Sequence, residues 1–127
     1  MTTPKQVPPG PARTSPSRRA HRLTGQGAFD TVFRTGRRVE GVYLQLVVAP
    51  AATPHGRTGY VIARKVLARA VDRNRIRRKL RETVRAHRGA LGAFDVIVRV
   101  KRAGNRAEQD AAALEAQRML AALAAGA

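Results

Sequence analysis

Cysteine and tryptophan are both absent from this chain. The first absence excludes disulfides and thiolate metal sites and is compatible with a reducing, cytoplasmic setting. Aromatic side chains are scarce, with two tyrosines and three phenylalanines, so an aromatic surface of any kind has few candidates. Acids are scarce relative to bases: 8 Asp and Glu against 25 Lys and Arg, a formal charge of +17. No apolar run reaches the roughly 20 residues of a membrane-spanning helix. The basic N-terminus lacks the apolar stretch of a signal peptide. Neither a membrane partner nor a small-molecule substrate is expected.

What is present is enough chain for one modest core, at 127 residues, and far more positive charge than a compact fold needs. Self-repulsion opposes folding, and the usual counterpart of such charge is a polyanion. Lys5, Lys65, Lys79 and Lys101 are the only lysines. Arginine, with its planar donor fork, suits phosphates and stacks on bases, which points to nucleic acid. Genomic base bias accounts for arginine over lysine, but not for the net charge.

Residues 1–22 are rich in Pro, Ser, Thr and Gly and contain no acid. They read as a disordered basic arm, able to add non-specific affinity for RNA. Residues 23–125 read as one domain. Phe29, Val32 and Phe33 share one face of a short helix over about 25–35, with Thr24 as N-cap and Gly36 as stop. "GVYLQLVVAP" alternates: Leu44, Leu46 and Val48 point one way, and Tyr43, Gln45 and Val47 the other. "TGYVIARK" reads as a second strand joined to the first as a hairpin, and Arg38 to Gly41 as an optional short strand. "AFDVIVRV" is a further strand, with Val96, Val98 and Val100 on one face. Asn105 and Glu108 open a C-terminal helix with a capping-box pattern. The fold class is α+β: a small, mostly antiparallel sheet in a two-layer sandwich with about three helices, in the order αβββαβα.

"DRNRIRRKLRE" is the densest basic stretch. At 100° per residue, Ile76, Leu80 and Val84 form a narrow apolar stripe, extended by His87. Asn74, Arg77, Arg78, Arg81 and Arg85 cluster on its flank, and Arg75, Lys79 and Glu82 lie on the far side. Arg73/Arg77, Arg77/Arg81 and Arg81/Arg85 are like charges at i, i+4, each costing a few tenths of a kcal/mol. Such a block is either a solvated face or an interaction surface, and the second is the commoner use. Asn74 has two readings: a cap near the helix start, or a paired donor and acceptor for the 2′-OH and base edges of RNA. His21, His55 and His87 are scattered, the acids form no catalytic pair, and no phosphate loop, nucleophile elbow or zinc motif is present. By itself the chain does not read as an enzyme.

"AVDRNRIRRKLRE" preceded by "GYVIARK" resembles the signature of the bacterial ribonuclease P protein subunit, an Arg-Asn-Arg motif opening a basic helix after Ala-Val. The matching residues are Ala70, Val71, Arg73, Asn74 and Arg75, continuing through Ile76, Arg77, Arg78, Leu80 and Arg81. "RLT", "FDTVFRTGRR" and "FDVIVRV" fit the same family in the same order, over about residues 22–123. The resemblance implies a left-handed βαβ crossover through the basic helix. It implies a catalytic RNA as partner, contacted by Arg73, Asn74, Arg75, Arg77, Arg78, Arg81, Arg85 and Lys65. It also implies precursor tRNA as substrate, its single-stranded 5′ leader held by Phe29, Phe33, Tyr43, Val47 and Arg22. Those phenylalanines serve equally well as ordinary helix-to-sheet core. Mg²⁺ would serve the RNA, which would carry the chemistry, while the protein would supply no catalytic group. Val47 stands where the family often has an aromatic residue, and either Arg64 or Lys65 matches the family lysine. The rival readings are a basic ribosomal protein and a DNA-binding regulator. The second lacks a helix-turn-helix partner before residues 72–88.

Overall fold

The alternation in the valine- and leucine-rich segments organises the molecule, and a computed structural model of the chain describes residues 21–126. Of the basic arm expected over 1–22, residues 1–20 lie outside the described residues. His21 and Arg22 belong to the folded unit, with Arg22 in a β-bridge to Thr58. The elements are α1 (Gln26–Thr35), β1 (Arg37–Glu40), β2 (Leu44–Pro50), β3 (Thr58–Val61), α2 (Ala70–Ala86), β4 (Phe94–Val100) and α3 (Arg106–Gly126), with a 3₁₀ turn at Ala90–Ala93 before β4.

The four strands form one sheet in the order β1-β2-β4-β3. β1/β2 and β2/β4 are antiparallel and β3/β4 is parallel. The hairpin expected between β2 and β3 is therefore absent: β4 lies between them, and α2 makes the crossover from β3 to β4. The reason lies in burial. β2 and β4 are apolar on both faces and take the centre of the sheet, whereas short, glycine-containing β3 takes an edge. Asp95 on β4 closes the resulting gap. Only 2% exposed, its carboxylate accepts the N–H groups of Ala52 and Arg57, at 3.2 and 3.0 Å, and pairs with the Arg57 guanidinium at 3.0 Å.

Leu44, Leu46 and Val48 pack with Val96, Val98 and Val100 on one face, beneath Ile76, Leu80 and Val84 of α2 and Ala112, Ala116, Leu120 and Leu123 of α3. This is the expected sandwich, and the apolar stripe read along α2 is its inner seam. α1 lies on the opposite face, over Leu23, Val47, Ala49 and Ile97.

The N-cap of α1 is Gly25, at φ 90, rather than Thr24. Its positive φ is one that glycine alone adopts at little cost. Gly36 ends α1 as expected but in extended backbone, at φ −84. A methyl there would meet Val47 Cγ1 at 2.9 Å, so glycine is needed for close approach to β2. At the start of α3, Asn105 Oδ1 accepts the Glu108 N–H at 2.8 Å, half of the expected capping box. The Glu108 carboxylate takes Gly104 N–H and Arg102 Nε instead of closing the box. Those contacts, Arg102 foremost, hold its pKa below the usual carboxylate value.

Candidate nucleic-acid interface

α2 divides its cations by direction. With Ile76 and Leu80 fully buried against the sheet, Arg75 and Lys79 turn toward α3. Arg75 Nη1 donates to Gln109 Oε1 at 2.9 Å, and Lys79 Nζ lies 3.1 Å from Asp110 Oδ1. Arg75 was expected among the RNA contacts; its guanidinium instead braces two helices. Arg73 is also engaged, donating to the carbonyls of Leu67 and Ala68 at 2.8 Å each, which fastens the loop entering the helix. Asn74 is exposed and is no cap: the N-cap is Arg69, and Asn74 Oδ1 accepts from Arg77 Nη1 at 3.1 Å. Arg78, Arg81 and Arg85 are exposed, so with Arg77 they form the outward cationic face. β3 ends at Val61, so Arg64 and Lys65 lie exposed in the turn that follows it rather than on the strand.

Tyr60 adjoins this arginine face from β3. Burial pushes its phenol up to about 12, against the opposing pull of Arg81, Arg88 and Arg85. The neutral phenol therefore cancels no arginine charge at physiological pH. A folded-state value above the unfolded one gives a contribution complete below pH 10 and lost as pH rises through about 12. In that window unfolding free energy is expected to fall by up to about 1.4 kcal/mol per pH unit through this group. Tyr60→Phe should remove that share of the slope, as read by denaturant unfolding across alkaline pH.

The α1 face of the sheet is built differently. Phe29 and Phe33 are both half-buried. Phe29 lies against β3, where a methyl at Gly59 would run into its ring. The Phe33 ring has the Arg38 guanidinium 5.9 Å from its centroid, within the range of a cation–π contact. Val47, expected to touch RNA, is fully buried beneath α1 and offers no surface. Tyr43, expected beside it, lies before the strand begins. Its ring packs on the α2–α3 side with Arg102 5.6 Å away. The cause is Glu115 on α3, whose carboxylate accepts the N–H groups of Val42, Tyr43 and Leu44, each at 2.8 Å. Arg22 is exposed at the start of β3, next to buried Leu23, whose N–H donates to Thr58 O.

Sequence reasoning placed Gln45 on the face of Val47 but missed the row of charged residues it joins. Register places Glu40 opposite Gln45 and Gln45 opposite Arg99, and Arg99 shares the face of Ile97. Lys101 Nζ donates to Glu40 at 2.9 Å, Gln45 donates to Glu40, and Arg99 Nη1 donates to Gln45 Oε1 at 3.4 Å. The contacts from Gln45, first, and Lys101 hold the Glu40 carboxyl below its ordinary value. The one signal available was a charged residue inside the apolar run "VIVRV". Among the described residues no three His, Cys, Asp or Glu side chains converge as a metal-binding group. Among them, too, no helix is long and apolar enough to cross a membrane.

An arginine-faced helix on one side and an aromatic, cation-lined sheet face on the other define a small RNA-binding α+β protein. The family model described as Ribonuclease P matches residues 18–124. The chain belongs to the ribonuclease P protein family and acts as its protein component, with RNA as partner. It is similar to the ribonuclease P protein component of Chromobacterium violaceum, 36% identical over 107 residues, covering 84% of this chain and 88% of that protein. Similarity to the component of Azoarcus sp. is 41% over 81 residues, covering 64% and 68%. Among solved structures, a Staphylococcus aureus RNase P protein mutant with defective mRNA degradation activity superposes with a TM-score of 0.68 at 25% identity, covering 84% of this chain and 86% of that one. The RNase P protein from Thermotoga maritima shares the fold, with a TM-score of 0.64 at 22% identity, covering 81% and 94%.

Proposed function

We propose that this protein is a non-catalytic subunit that docks on the catalytic RNA through α2 and holds the 5′ leader of precursor tRNA on the α1 face of the sheet. The observation that carries the reading is the separation of the two surfaces: the Arg77–Arg85 face and the Phe33–Arg38 platform belong to opposite faces of one sheet. Two RNA strands can thus be held at once. In this reading Phe33 and Arg38 stack and neutralise an unpaired strand, an arrangement in which each stacked base is worth about 1–3 kcal/mol. The RNA subunit would carry the hydrolysis of the phosphodiester at the leader junction, with Mg²⁺ serving that chemistry on the RNA. The protein orients the leader and screens the charge of the two RNAs, acting in the cytoplasm where tRNA precursors are made.

The test is reconstitution with a cognate catalytic RNA at low Mg²⁺. The protein is expected to stimulate leader removal and to favour precursor over mature tRNA. Equal affinity for both, without stimulation, rejects the reading. Phe33→Ala is expected to weaken precursor binding about tenfold while changing affinity for the catalytic RNA less than twofold. A circular dichroism melt separates this from simple loss of fold.

A further inference from the structure

The row Lys101–Glu40–Gln45–Arg99 has a fixed hydrogen-bond polarity. Glu40 accepts from both Lys101 Nζ and the Gln45 amide nitrogen. An ionised carboxylate is acceptor-only, so the amide has one allowed orientation, with Gln45 Oε1 turned to Arg99. Arg99 Nη1 donates to that oxygen. Gln45 is 8% exposed, so the amide is locked beneath its neighbours. The chain of bonds ends at Arg99, which is exposed on the central strand β4 between Gln45 on β2 and Val61 on β3. Nη1 of the guanidinium is held by Gln45, and the side chain is exposed on that face.

A planar fork of donors fits two acceptors side by side: the oxygens of a phosphate, or O6 and N7 of guanine. The surroundings choose between them. A phosphate site gathers free cations, whereas here Lys101 is already paired with Glu40 at 2.9 Å and the group that holds Arg99 is the neutral Gln45 amide. With Lys101 so engaged, Arg99 offers a single fork beside a neutral amide, which suits a neutral base. Half-buried Val61 and Phe29 flank the same face with apolar surface on which a base can lie.

We infer that Arg99, positioned by Gln45 and Glu40, reads a guanine in the unpaired RNA strand and gives this protein a nucleotide preference at one leader position. The inference rests on the leader-binding reading above, and it adds a specificity-determining residue to it. Gln45 and Glu40 are positioning residues; Arg99 makes the contact. The donor fork takes O6 and N7, and the base plane rests beside Val61. Lysine at this position keeps the charge but loses the fork.

The experiment uses the reconstituted holoenzyme and a set of precursors, each with one leader nucleotide changed, in competition. The wild-type chain is expected to favour guanine at one position by about tenfold, the scale of one bidentate base contact. Arg99→Lys is expected to narrow that preference to within about twofold, with the loss falling on guanine-containing leaders. Gln45→Leu should narrow it in part. Thermal melts of the wild type and the three variants establish that they fold, which the exposure of Arg99 favours for its two variants. A wild-type protein indifferent to leader sequence overturns the inference. So does an Arg99→Lys chain that keeps the full preference, or an Arg99→Ala chain weakened equally for every leader, which would make Arg99 a phosphate neutraliser. Those failures leave precursor-over-mature selectivity intact. If that selectivity is itself absent, the leader-binding reading falls and this inference falls with it.

Discussion

Glu115→Ala is expected to lower the unfolding free energy by about 3–4 kcal/mol, a large share of what holds a domain of this size. Glu115 is 7% exposed, and its carboxylate takes three consecutive backbone N–H groups, those of Val42, Tyr43 and Leu44. Hydrogen bonds to a charged acceptor contribute about 1.5–3 kcal/mol each, and a buried donor left unpaired costs about 1–3. The three are unequal. Val42 is 61% exposed, so water can replace the acceptor there; Leu44 is fully buried, so none can. Alanine is the best helix former, so α3 itself loses nothing. Glu115→Gln keeps the shape and one carbonyl oxygen for Tyr43 and Leu44. It sets an NH₂ group against the Val42 N–H, and should cost about half as much. Equilibrium urea unfolding of the three chains measures both differences. A loss below about 1 kcal/mol for Glu115→Ala would show that the turn relaxes and finds other acceptors.

The same carboxylate explains which parts of the architecture were legible in the sequence. The α2 stripe was readable because its information is local: Ile76, Leu80 and Val84 recur at helical spacing and all three are buried. Val96, Val98 and Val100 were readable for the same reason at a period of two. Tyr43 was misplaced because the alternation of β2 was extended one residue past the strand's start, where a side chain 72 residues away redirects the backbone. The β2–β3 hairpin failed similarly. A seven-residue connection between two apolar runs is compatible with a hairpin, and only the doubly buried pattern of β4, far downstream, says which strand takes the middle. Within the site, charge density identified α2 as an interface but could not divide its arginines. That division depends on Gln109 and Asp110 of α3, which claim Arg75 and Lys79. The Glu40–Gln45–Arg99 row is invisible to any local pattern, since Gln45 and Arg99 are 54 residues apart.

The division of α2 gives the second large effect, in which stability and binding move in opposite directions. Arg77, Arg81 and Arg85 are successive at i, i+4 on the α2 flank away from α3, Arg81 and Arg85 exposed and Arg77 half-buried beside Asn74. Replacing all three with alanine removes three like-charge pairs, Arg73/Arg77, Arg77/Arg81 and Arg81/Arg85, each costing a few tenths of a kcal/mol, and introduces better helix formers. The triple variant should therefore be as stable as the parent or slightly more so. Its affinity for the catalytic RNA should nonetheless fall on the order of a hundredfold at physiological salt, and the salt slope should drop by about 2–3, at about 0.7–0.9 per lost phosphate contact. The paired variant Arg75→Ala/Lys79→Ala removes the same kind of charge from the α3-facing flank. There the loss of bonds to Gln109 and Asp110 should cost about 1 kcal/mol of stability and leave the salt slope nearly unchanged. Filter binding across a salt series, alongside urea unfolding, reads both quantities for both variants. If charge alone governed docking, the two variants would lose affinity in proportion to the cations removed. If direction governs it, the triple variant is the stable weak binder and the double variant the less stable tight one. An unchanged slope in the triple variant would mean that this face is solvated surface and that the RNA is met elsewhere.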